Sequence, residues 1–199
     1  MDLDFINKGL EAWLKIFYLS WILVILFFYF KKSKYIKRII IIGIFLFFII
    51  SLLILIFQSF FTYYSWKASP VGKYLIPPYT PISYFFRYFF TNYYSNYLLT
   101  AGGAFFVGVL FFVFKKKNRI DSCEMWLAVL ASLFSGWPNL IIFLGIALLL
   151  AIFYSLIQNY IKRGEKRIFL FFPIITAFLI TILFGDFLAK YLGISVLIM

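Results

Sequence analysis

Met125 to Ile161 reads MWLAVLASLFSGWPNLIIFLGIALLLAIFYSLIQNYI, 37 residues without a charge. A helix crosses the roughly 30 Å of bilayer hydrocarbon with about 20 apolar residues. The stretch is too long for one crossing, and Gly136-Trp137-Pro138-Asn139 interrupts it. Glycine ends helices because it tolerates the left-handed backbone there, and proline suits the opening of the next helix. The reading is therefore two spans, 121–136 and 139–161, joined by a tight turn. At 1.5 Å per residue the first rises only about 24 Å. It needs a thinned bilayer or snorkelling ends.

Working outward, Ile39 to Trp66 is a second uncharged run, and 65% of the chain is hydrophobic with mean hydropathy +1.00. Soluble domains hold about 45–50% apolar residues, and 199 residues cannot bury runs of this length. The sequence predicts an all-α integral membrane protein, a single polytopic domain over 1–199. Its six spans lie near 12–30, 39–62, 94–114, 121–136, 139–161 and 168–185. Three basic clusters support the count: Lys31, Lys32, Lys34, Lys37 and Arg38; Lys115, Lys116, Lys117 and Arg119; Lys162, Arg163, Lys166 and Arg167. With six spans all three fall on one side, the cytoplasmic side by the positive-inside rule, and both termini lie outside. A single span over 125–161 would put the last two clusters on opposite sides.

The net charge of +12 resides mainly in these short clusters. It predicts anionic lipid headgroups as partners, not nucleic acid, which needs a basic face. With no histidine and only Cys123, a zinc site, an imidazole base and an intrachain disulfide are not expected. No Walker or dinucleotide motif is present, so no cofactor is expected. The amino-terminal segment has acids and lysines up to Lys15, and Phe27-Phe28-Tyr29-Phe30 where a signal peptide would have small residues. It reads as a retained span.

Small residues recur every four positions in four spans: Thr100, Ala104 and Gly108; Ala128, Ser132 and Gly136; Ala147, Ala151 and Ser155; Ala177, Thr181 and Gly185. Such stripes let helix backbones approach where lipid gives no hydrophobic drive for association. They predict a packed bundle of the last four spans, with the first two more lipid-exposed. Between the second and third spans, Tyr63–Tyr93 contains Pro70, Pro77, Pro78 and Pro81, which forbid a regular span. Its aromatic residues suit the headgroup layer. An outer interfacial loop with a short helix is expected, and Trp66, Tyr74, Tyr79, Tyr84 and Arg87 form a candidate binding surface there.

Among the seven acids, Asp121 and Glu124 stand three apart at the start of the fourth span. Asp-Ser-Cys-Glu reads first as a helix start, with Asp121 as N-cap and Glu124 reaching back to it. Residues 121–193 also resemble the carboxy-terminal half of the prepilin and preflagellin peptidases, membrane-embedded GxGD aspartyl proteases. Asp121-Ser122-Cys123-Glu124 stands at the motif, Leu127 to Leu133 resembles the small-residue helix after it, and Phe172-Pro173 and Phe184-Gly185-Asp186 resemble the last span. The resemblance implies catalytic roles for Asp121 and Glu124 and a pilin-like peptide of the type IV pilus as substrate. Both motif glycines are missing, however, and Phe30-Lys31-Lys32-Ser33-Lys34 has no acid where the family's other aspartate would lie. Aspartyl chemistry needs two carboxylates sharing a proton. The expectation is a non-catalytic relative acting as a scaffold, assembly or binding subunit for a membrane protein or peptide. The alternatives are an active peptidase using Glu124 and a passive channel or lipid-handling protein.

The remaining polar residues read as structural. Asp186 is expected near Lys190, Lys15 snorkelling outward, and Gln58 and Asn139 bonding between helices. No ionisable residue sits at mid-span, which argues against a coupled transporter.

Overall fold

The computed structural model describes residues 3–31, 33–116, 120–161 and 169–194. All regular structure among them is helical: α1 (Leu3–Phe30), α2 (Ile36–Ala68), α3 (Ile82–Phe89), α4 (Ser95–Lys116), α5 (Ser122–Ser135), α6 (Asn139–Ile161) and α7 (Phe171–Tyr191). A 3-10 turn, Gly72–Leu75, follows α2, and one π turn, Phe90–Tyr94, joins α3 to α4. Five helical stretches, one of them Ile82–Lys116, are long and apolar enough to cross a membrane, and α5 is a shorter apolar helix. Outward-facing Leu148, Leu149, Ile152, Phe153 and Leu156 on α6 stand in the open. A continuous apolar surface of that kind requires lipid around it. The chain is a multi-pass helical membrane protein.

Helix α5 is the centre of the bundle. It packs against α2, α4, α6 and α7, and the Tyr18 ring of α1 stacks on Phe134 at 4.2 Å. None of its residues is exposed, and Leu127, Leu130, Ala131 and Ser132 are fully buried. The hydroxyls buried on α5 and α7 are satisfied locally. Ser132 and Ser135 donate to the carbonyls of Ala128 and Ala131, and Thr181 donates to that of Ala177. Back-bonding to the preceding turn removes the cost of burying an O–H without a partner.

The small-residue stripes have different fates. On α4, Thr100 and Ala104 are buried, and a Cβ on Gly108 would press on Val129 of α5 at 3.2 Å. On α7, Ala177, Thr181 and Gly185 are buried, Gly185 lying directly under the Asn139 side chain. The α6 stripe differs from expectation: Ala147, Ala151 and Ser155 stay half-buried, lining an apolar groove of about 340 Å³ beside α4 and α7.

The expectation that the first two spans are the more lipid-exposed holds for α1, the least buried of the long apolar helices, and needs correction for α2, which is more buried than α4 and α6. Helix α2 packs along α5, burying Ile40, Gly43, Phe47 and Ser51, and α1 contributes the fully buried Ile22 and Ile25. One glycine lets α1 and α2 meet. A Cβ on Gly43 would overlap the indole nitrogen of Trp21, so a single gap, without a stripe, brings α1 and α2 together.

Helix limits shift as well. Helix α1 already begins at Leu3, α2 runs on to Ala68, and α3 opens at Ile82, so the irregular part of Tyr63–Tyr93 narrows to residues 69–81. All four prolines of the segment lie in that interval. The last helix spans Phe171–Tyr191, longer than expected at its far end. Gly136 closes α5 with φ +68° and ψ 163°, and α6 opens at Asn139.

Candidate functional site

At the start of α5, Asp121 and Glu124 form a reciprocal cap. The Asp121 carboxylate accepts from the Ser122 N–H at 2.7 Å, and Glu124 Oε2 accepts from the Asp121 N–H at 3.0 Å. Glu124 is 4% exposed, and its other oxygen, Oε1, accepts from the backbone N–H of Leu170 at 2.9 Å. Leu170 is the N-cap of α7 and has no side-chain cap of its own. One carboxylate thus satisfies a helix-start donor on each of two helices, where negative charge is also favoured by the helix dipole. Beside it the Tyr29 ring, at the end of α1, stacks on Phe171 at 3.7 Å. Cys123 is a free, half-buried thiol.

The other described carboxylates do not face this pair. Glu11 and Asp186 line a cavity at the opposite end of the bundle, around the Gly136–Asn139 turn. Asp2, Lys32 and the Lys162–Arg167 cluster lie outside the described residues.

The five aromatic-surface candidates fall into two groups. Trp66 is half-buried, 4.8 Å from Tyr88 and 5.6 Å edge-on to the buried Phe85, with Tyr84 at the rim and Arg87 exposed. These contacts clasp the end of α2 to α3. Tyr74 and Tyr79 pair with each other at 4.9 Å, and the Thr80 hydroxyl donates to the Tyr74 carbonyl. Gly72 closes the corner because a Cβ there would stand 2.9 Å from the Trp66 carbonyl oxygen.

The open cavity at the opposite end, about 450 Å³, gathers polar residues that look unrelated in sequence. Asp186 meets Lys15 of α1, not its neighbour Lys190, and also accepts from Asn139 Nδ2 at 2.8 Å. The Thr100 hydroxyl accepts from the Trp137 N–H at 2.8 Å, tying α4 to the α5–α6 turn. Glu11, Asn92, Asn96, Tyr97 and Trp137 complete a wall that the sequence reading did not assemble. The only signal available was the placement of amides and charges at span ends.

Comparison of the chain with protein-family models, with curated proteins and with solved structures returns no match. The arrangement itself defines a class, a polytopic helical bundle built around a short central helix, with polar chemistry divided between its two ends.

Proposed function

We propose that this chain is a non-catalytic membrane subunit that binds or assembles other components, a degenerate relative of the prepilin peptidases. What carries the reading is Glu124. Both of its oxygens accept hydrogen bonds from backbone donors, Asp121 and Leu170. A carboxylate held in this way serves as a helix clamp, whereas aspartyl chemistry needs a second carboxylate across the substrate. The exposed aromatic rims around Tyr84, Arg87, Tyr74 and Tyr79 supply anchors for a membrane protein or pilin-like peptide. In this reading the three basic clusters face the cytoplasm, next to anionic headgroups, and the aromatic clasp and both termini lie outside.

The test has two arms. A prepilin-cleavage assay is run with the parent, Glu124→Gln and Asp121→Asn, and no processing by any of the three is expected. Parental cleavage that Glu124→Gln abolishes would replace this reading with the peptidase one. Affinity purification with and without residues 69–81 checks the surface, since a partner retained equally by both forms would remove the aromatic corner from the proposal.

A further inference from the structure

Helices α4 and α6 touch near one end of the bundle and leave a groove between them toward the other. A Cβ on Gly103 of α4 would stand 3.0 Å from the Leu140 side chain of α6. Beyond that contact lies the apolar groove of about 340 Å³, with Ala128 of α5 and Pro173 and Ile174 of α7 also in its lining. Ser155 is the one polar side chain lining it among the described residues. On α6 the lining runs from Phe143 to Leu156, a length of about 20 Å at 1.5 Å per residue. Spread over that length, 340 Å³ leaves a channel about 4 Å across. A single polymethylene chain has that width, since carbons pack about 3.5–4.0 Å apart. A helix with its side chains is about 10–12 Å wide and cannot enter.

The groove runs out beside Phe114, Ile120 and Leu170, where α4 ends and α5 and α7 begin. This end is basic. Lys115 stands one helical turn beyond the groove-lining Phe111, so it continues the same face of α4. It is half-buried and has no ion pair among the described residues. Beside it, the Lys116 ammonium lies over the Phe112 ring. In the sequence α4 is followed by Lys117 and Arg119, and α6 by Lys162 and Arg163. Of the nearby acids, Glu124 is buried against two backbone N–H groups and Asp121 caps α5. We propose that the groove holds one acyl chain of an anionic phospholipid, its phosphate met by Lys115 and Lys116. Lysine stems lie along apolar surface and deliver their charge at headgroup depth, where basic sites between helices take anionic lipids. A zwitterionic lipid would bring a cation of its own to these lysines, and a polar ligand would find only Ser155. The assignment stands apart from the assembly reading, whose aromatic corner lies at the far end of the α3–α4 stretch.

The experiment titrates the full chain in maltoside micelles with phosphatidylglycerol or phosphatidylcholine of the same acyl chains. Retained lipid is counted by native mass spectrometry, and thermal unfolding is followed in parallel. Phosphatidylglycerol is expected to bind at least about tenfold more tightly, a difference of about 1.4 kcal/mol, and the preference should shrink as salt rises. The double variant Ala147→Leu, Ala151→Leu fills the channel with apolar side chains and is expected to lose the retained lipid. Lys115→Gln with Lys116→Gln leaves the channel open and should bring phosphatidylglycerol down to the level of phosphatidylcholine. Leu149→Ala, on the outward face of α6, should change neither. Equal binding of the two lipids, or unchanged phosphatidylglycerol binding in either double variant, overturns the proposal. A loss in Leu149→Ala as large as in the filled variant overturns it too, since the lipid would then belong to the general shell. Detection of a second protein chain in place of lipid, released by the filled variant, would give the groove to a partner helix instead.

Discussion

The side chain of Glu124 accepts a 2.9 Å hydrogen bond from the backbone N–H of Leu170, 46 residues further along the chain. It joins the starts of α5 and α7 at a point that is almost wholly buried. Glu124→Gln keeps one acceptor oxygen but turns an N–H₂ toward the second backbone donor. A buried donor without an acceptor costs about 1–3 kcal/mol. The variant is therefore expected to fold and to lose stability by that amount in denaturant titrations of the micellar protein. Glu124→Ala, which loses both bonds, should lose more. Equal stability of all three proteins would dismiss the clamp.

Gly43 and Trp21 make a second test. Gly43→Ala forces a methyl into the indole, and overpacking of this kind costs about 1–3 kcal/mol. Trp21→Leu opens that space, and the Trp21 N–H has no acceptor among the described residues to lose. The double variant is expected to recover stability relative to Gly43→Ala alone. Strict additivity in the double-mutant cycle would show that the two residues do not touch.

Gly136 is held at φ +68° and ψ 163°, a region that side chains with a Cβ rarely enter. Nothing lies within 4 Å of a Cβ built there. Gly136→Ala is thus expected to cost about 1–3 kcal/mol through the backbone alone. Because no neighbour is crowded, Gly136→Ser should cost about the same. A steep rise with side-chain size would point to a clash instead.

The Lys15–Asp186 pair is partly open, its side chains 43% and 67% exposed. Exposed ion pairs contribute about 0.2–1 kcal/mol. The coupling energy from Lys15→Met and Asp186→Asn is expected in that range and should shrink as salt rises. A coupling insensitive to salt would mean that the pair is shielded from the aqueous phase.

What could be read from the sequence was what is written locally. Gly136 and Pro138 break the long apolar run by their own backbone chemistry, and Asp121 and Glu124 cap α5 at a spacing that needs only one helical turn. The run lengths make the chain a multi-span helical bundle without reference to any partner helix. Contacts set by tertiary placement were not legible. Lys15 and Asp186 lie 171 residues apart, and nothing in either neighbourhood names the other. The close approach at Gly43 escaped a search for repeated small residues because one gap suffices where a large ring fills it. The α6 stripe, by contrast, had the right pattern, but among the described residues it lines an apolar groove that no helix fills. Pattern specifies that a backbone can be approached, and only the fold decides what approaches it.

Helix α5 holds 14 residues, a rise of about 21 Å against hydrocarbon about 30 Å deep. Since none of its residues is exposed, little acyl chain has to shorten to match it; the shortfall of about 9 Å lies among longer neighbours. The polar recess around Asn139 is that missing length, left as a vestibule above a truncated post.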